Sequence, residues 1–221
     1  MRAEYPARRF LKTRNTRWAQ AMAHWLAHAG VRPNFISIAG VVFAGLAGTC
    51  LLLTTKFGRD AQAALDVAAA ALIQLRLLCN MLDGMVALEG GLRTRTGEIF
   101  NDLPDRISDV LVLVGAGYSV RFFTWGAELG WAAALLAVMT AYARLLGGAT
   151  GTTQSFVGPM AKQHRMAVLT VACLGSAVEA ALGASKRAMV LALVVICVGC
   201  VVTFIRRARL IVKELRSGQE S

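Results

Sequence analysis

Between residues 80 and 105 the chain reads Asn80-Met-Leu-Asp83-Gly84-Met-Val-Ala87-Leu88 and, eight residues later, Gly97-Glu-Ile-Phe-Asn101-Asp102-Leu-Pro104-Asp105-Arg106. Six of the 13 acidic residues fall between Asp83 and Asp109. Ionisable groups are costly at membrane depth, so such a cluster in an apolar chain marks function. Asn80 and Asp83 stand one turn apart on one helix face; Asn101 and Asp105, four apart, share a face of the next helix. A short glycine-containing connection is expected to make these two helices antiparallel neighbours, so that four oxygen-bearing side chains converge. Carboxylate and amide oxygens suit a hard divalent cation, Mg²⁺ or Mn²⁺. Gly84 and Gly97 leave room for a phosphate or a base to approach the backbone. The competing reading is a polar network between helices, or loop charges that are only solvated.

The elements that position these residues follow from composition. Of 221 residues, 56% are hydrophobic and 17% charged. A soluble domain carries about a quarter charged residues, and a disordered chain is poor in hydrophobics. An integral membrane protein built of helices remains, because lipid offers the backbone no hydrogen-bond partners. The expected fold class is all-α and polytopic, with six transmembrane helices preceded by an N-terminal interfacial amphipathic helix. The spans are read at 35–55, 61–88, 98–120, 125–147, 166–184 and 188–205. Residues 1–33 form a cytoplasmic N-terminal segment, 34–206 the membrane domain and 207–221 a basic cytoplasmic tail.

From Trp18 the apolar residues recur at Met22, Trp25, Leu26 and Ala29, opposite Arg17, Gln20, His24 and His28. That pattern suits a helix lying flat among lipid headgroups, or one packed on its own protein. Gly40, Ala44 and Gly48 recur at i, i+4 and i+8, a spacing that permits close helix contact within or between subunits.

The net charge is +11, from 24 Lys and Arg against 13 Asp and Glu. Sixteen of the basic residues fall in the termini and two loops on one side, five on the other, and Arg76, Arg106 and Arg144 lie within spans. The positive-inside rule then puts both termini in the cytoplasm and the protein in a bacterial inner membrane. No nucleic-acid partner is expected. Cys197 and Cys200 form a C-x-x-C inside Val/Ile-rich sequence, which reads as packing. Asp66, deep in the second span, reads as a helix–helix hydrogen bond.

The 80–105 stretch resembles the signature D-x2-D-G-x2-A-R-x8-G-x3-D-x3-D of the CDP-alcohol phosphatidyltransferases, and its spacing matches without a gap. Asp83, Gly84, Ala87, Gly97 and Asp105 are present in kind. Asn80 and Asn101 stand for the first and third aspartates, and Leu88 for the arginine. Arg32-Pro33-Asn34-Phe-Ile-Ser37 is similar to the segment that opens the family's first span. The resemblance implies that an alcohol attacks the β-phosphorus of a CDP-alcohol, usually CDP-diacylglycerol, with release of CMP in phospholipid synthesis. It implies Asp105 as the base and, with Asp83, Asn80 and Asn101, as a metal ligand. It implies a cytidine and phosphate pocket at Gly84, Ala87 and Gly97.

Arg93, in the motif loop, stands to meet donor phosphates or lipid headgroups. Arg76, Arg144, Lys162 and Arg165 stand to bind an acceptor phosphate or carboxylate, or else to pair with the acidic cluster and lipid. Asp102 and Asp109 are offered as spare anions that compensate for the two asparagines. The resemblance and the Gly/Ala faces point to a homodimer. The alternatives are a non-catalytic relative that binds nucleotide or lipid without turnover, and a small transporter.

Overall fold

The structure is a computed structural model that describes residues 16–90, 95–152 and 156–217; the side chains of 95–98, 100 and 101 are outside that set. The described residues form seven helices: α1 (Arg17–His28), α2 (Pro33–Leu53), α3 (Arg59–Glu89), α4 (Arg95–Tyr118), α5 (Gly126–Ala149), α6 (Lys162–Ala181) and α7 (Arg187–Ser217). No strand occurs among them. Four of these, α2, α3, α5 and α7, are long and apolar enough to cross a membrane. The helices α4 and α6 coincide with two further expected spans but are not among those four. Helix α7 continues to Ser217, through the first part of the expected tail.

Helices α2 to α7 close a ring in the spatial order α2, α3, α6, α7, α5, α4. Its interior is rich in small side chains, among them Ala44, Ala47, Ala69, Ala116, Ala133, Ala137 and Ala172, packed with larger ones such as Leu51, Ile73, Leu169 and Leu193. Large apolar side chains such as Leu135, Val171, Val178, Leu191 and Val198 point outward and are exposed. This is the arrangement of a membrane protein: small residues let helix backbones approach, and bulky apolar ones face lipid.

The arrangement of the two motif helices differs from the antiparallel neighbours expected from the sequence. The two motif helices, α3 and α4, are not packed side by side; α2 packs extensively on both, and they touch each other little. The cause is the small-residue stripe of α2. A Cβ on Gly48 would lie 2.6 Å from the carbonyl oxygen of Leu111, and one on Gly115 would lie 2.7 Å from the Gly48 Cα. Gly40 lies against Cys79 and the Arg76 carbonyl. The stripe thus serves contacts within the subunit. Helices α3 and α4 splay around α2 and are bonded through polar side chains at the motif end.

Helix α1 ends where Gly30 takes a φ of +72°, and Pro33 opens α2. Ala19 and Ala23 of α1 are buried, and α1 packs on α3. Trp18 and Trp25 are 51% and 67% exposed. Cys200 is buried and the Cys197 thiol lies 3.9 Å from the Leu129 carbonyl oxygen.

Candidate active site

Ser37 and Gly40 of α2, Arg76, Asn80 and Asp83 of α3, and Pro104, Asp105 and Ser108 of α4 line one small polar pocket. Each helix delivers its residues by periodicity. Positions 76, 80 and 83 share one face of α3, and 105, 108 and 109 share one face of α4. Asp83 and Asp105, the two carboxylates of the motif, therefore do face a common space. Between them α2 contributes Ser37 and Gly40 to the lining.

Asp83 is 4% exposed. Its Oδ2 accepts a hydrogen bond of 2.8 Å from Ser37 Oγ, while its Oδ1 is buried with no hydrogen-bond partner among the described residues. Asp105 is surrounded by donors. Asn80 Nδ2 donates to its Oδ1 at 2.8 Å, and Arg76 lies 3.5 Å from the same oxygen and 3.2 Å from the backbone carbonyl. Lys162 Nζ, from the start of α6, donates both to Asp105 Oδ2 and to Asn80 Oδ1.

Behind this layer lies an ion triad. Asp109 is fully buried, and Arg76 and Arg165 are each 1% exposed. Arg76 donates to Asp109 Oδ1 at 2.8 Å, and Arg165 donates to Asp109 Oδ2 at 2.6 Å. Asp102 instead pairs with Arg144 at 2.5 Å and Arg106 at 3.2 Å. Arg144 also stacks 5.5 Å above the Phe156 ring. Both spare acids of the sequence reading thus have cationic partners, and neither lines the pocket.

Of the remaining expected residues, Gly84 is buried and Ala87 half-buried one turn beyond Asp83. Gly97 and Asn101 are described only as backbone of α4, and Arg93 lies outside the described residues. Asp66 is bonded by Lys186 at 2.6 Å, far along α3 from the pocket, so its partner is a lysine just before α7 rather than a side chain within a helix.

Two contributors were not expected as site residues: Ser37, noted in the sequence only as part of the segment that opens the first span, and Arg207, which donates to the carbonyls of Val157 and Thr140. The role of Asp109 was half visible in its spacing of four from Asp105.

A divalent cation needs several oxygen donors. Among the described residues no three carboxylate, histidine or cysteine side chains converge. The buried, unpartnered Oδ1 of Asp83 on a pocket shared with Asp105 nonetheless fits one hard cation. Asp83 would hold it, with Asp105 on the same pocket.

This ring of helices is a fold also seen in solved structures of a phosphatidylinositol phosphate synthase. The chain is similar to Mycobacterium tuberculosis phosphatidylinositol phosphate synthase (PgsA1) with CDP-DAG bound, at a TM-score of 0.72 and 22% identity over 89% of this chain and 94% of that one. It is equally similar to the same enzyme in complex with manganese and citrate, at a TM-score of 0.72 and 20% identity over 87% and 88% of the two chains. In sequence it is 28% identical over 141 residues to Escherichia coli (strain K12) inner membrane protein YnbA, 64% of this chain and 66% of that protein. The match thus spans just under two thirds of that relative's length. No family model matches the chain.

Proposed function

We propose that the chain belongs to the CDP-alcohol phosphatidyltransferases and moves a phosphatidyl group from a CDP-alcohol, CDP-diacylglycerol in the first instance, to an alcohol acceptor. The observation that carries this reading is the convergence of Asp83 and Asp105, at the family's spacing, on one pocket in the family's fold. The acceptor oxygen forms the new bond to the β-phosphorus, the bond to CMP breaks, and the acceptor's proton passes to the Asp105 carboxylate. Such transfers are driven mainly by positioning and by neutralising phosphate charge. Asn80, Arg76 and Lys162 orient Asp105; Ser37 orients Asp83. A bound divalent ion, Mg²⁺ or Mn²⁺, supplies charge neutralisation on the pyrophosphate. Gly84, Ala87 and Gly97, with Arg93, are assigned to the nucleotide on the resemblance.

Arg144, partly open, is the group assigned to an acceptor's phosphate or carboxylate. Arg76 and Arg165 support Asp105 from behind. The protein sits in a bacterial inner membrane with six spans and both termini in the cytoplasm, and the exposed Trp18 and Trp25 of α1 anchor it among headgroups. The homodimer is proposed on the resemblance; light-scattering mass in detergent reads it.

The test is purified protein given labelled CDP-diacylglycerol and glycerol phosphate, inositol phosphate, serine or another lipid as acceptor, scored for CMP release with Mg²⁺ or Mn²⁺. Release with one acceptor class supports the reading; no release with any overturns it. A second reading, a member that binds CDP-lipid without turnover, is favoured by one observation: Asn80 and Lys162 lock both oxygens of Asp105. Saturable CDP-lipid binding without CMP release identifies it.

A further inference from the structure

Lys162 sits in an unusual place for a lysine. Its ammonium spans an oxygen of α3, Asn80 Oδ1, and an oxygen of α4, Asp105 Oδ2. Asn80 closes the ring by donating its Nδ2 to the other Asp105 oxygen. Paired oxygens from two helices at the edge of a polar pocket are what a hard cation seeks. Here a side-chain cation already bridges them.

The position is built rather than incidental. The turn before α6 is fastened to α7 at two points. The Met160 N–H donates to Thr203 Oγ1 at 3.0 Å, and Arg207 Nε donates to the Val157 carbonyl at 3.1 Å. Arg165, one turn into α6, holds the Met160 carbonyl at 3.1 Å while bonded to Asp109. Gly158, at a φ of +132°, lies so close to Thr203 that a Cβ there would collide with it. Lys162 therefore leaves a fixed turn two residues after Met160.

Charge makes the same point. Asp83, Asp105 and Asp109 face Arg76, Lys162 and Arg165, three charges of each sign. Asp109 is shared by two arginines, and Asp105 by Lys162 and Arg76. Asp83 alone has no ion-pair partner among the described residues, and one of its oxygens is unpartnered. A divalent ion at Asp83 meets a free carboxylate oxygen. A divalent ion between Asn80 and Asp105 meets an ammonium in its place and a guanidinium beside it, and like charges at that range repel.

We propose that Lys162 is a built-in cation occupying the seat of one divalent ion, so that the site takes a single divalent ion at Asp83 and the lysine supplies the other positive charge to the donor's pyrophosphate. This rests on the activity proposed above, and it deepens it: Asn80 and Lys162 act as a matched pair, a neutral ligand with a tethered cation.

The experiment is a titration of Mn²⁺ into the detergent-purified full chain without substrate, with free Mn²⁺ read by electron paramagnetic resonance. One bound ion per chain is expected for the unaltered protein, and two for Lys162→Met and for the double variant Asn80→Asp with Lys162→Met, the second ion held more tightly in the double variant. Gel filtration checks that each is folded, and Lys162→Gln replaces Lys162→Met if that variant fails. Two ions, or none, on the unaltered protein overturn the proposal, as does one ion on every folded variant. CMP release by the same preparation reports on the activity separately. One ion without CMP release counts against the transferase reading alone, and CMP release with two ions bound counts against the lysine's role alone.

Discussion

Asp83 and Asp105 face the same pocket but stand in opposite circumstances. Asp83 has one hydroxyl donor and a bare oxygen, which suits an ion ligand; Asp105 has an amide, an ammonium and a guanidinium, which suits a carboxylate held in one orientation. Asp83→Ala and Asp105→Ala are each expected to abolish CMP release while the protein elutes as folded; unchanged rates in either reject the site assignment. Asp109 is of another kind. It makes no contact with the pocket and neutralises two buried guanidiniums. Removing one partner of a buried ion pair costs about 3–5 kcal/mol, because the remaining charge is left uncompensated. Asp109→Ala should therefore lower the thermal unfolding midpoint markedly, whereas Asp83→Ala, which leaves no cation unpaired, should lower it little.

The elements matter through how closely they pass. Helix α2 is the wedge of the site: its glycines admit α4 at backbone contact, and its Ser37 reaches Asp83. Gly115→Leu should push α4 away from α2, destabilising the fold and weakening CDP-lipid binding together. Overpacking of this kind costs about 1–3 kcal/mol, occasionally more. Thr203→Val, at the other side of the ring, keeps the volume and removes the acceptor of the Met160 N–H. It should loosen the turn that carries Lys162, and limited proteolysis near residue 158 reads that loosening. The small-residue stripe was visible in the sequence as a pattern. Which helices it would admit was not, because a face of alanine and glycine accepts any close neighbour.

At the scale of the whole molecule, polar groups are placed at two levels. The motif end gathers the acids, Arg76, Lys162 and Arg165, while Asp66 and Lys186 form a separate buried pair with Thr54 far along α3. Asp66→Ala should strip Lys186 of its counter-charge and reduce stability without changing metal stoichiometry or CMP release, and the two readouts together check it. On the proposed six-span topology, the basic residues outside the spans divide sixteen to five between the two sides. Reporter fusions at the N- and C-termini should both read as cytoplasmic; a periplasmic signal from either overturns the orientation drawn from charge.

The sequence by itself determined the membrane class, the helices that form and the residues that carry charge into them. These depend on local terms: apolar length, helical period and the penalty on an ion in lipid all act within one segment. Asn80, Asp83 and Asp105 were legible for the same reason, since their spacing lies along helices. What the tertiary structure decided was every partner. The ring order, the wedge of α2 between the motif helices, Ser37 on Asp83, Lys162 across Asn80 and Asp105, and Arg165 on Asp109 all join residues distant in the chain. Such contacts follow from which faces pack together, and a face of small residues leaves that choice to the assembled whole.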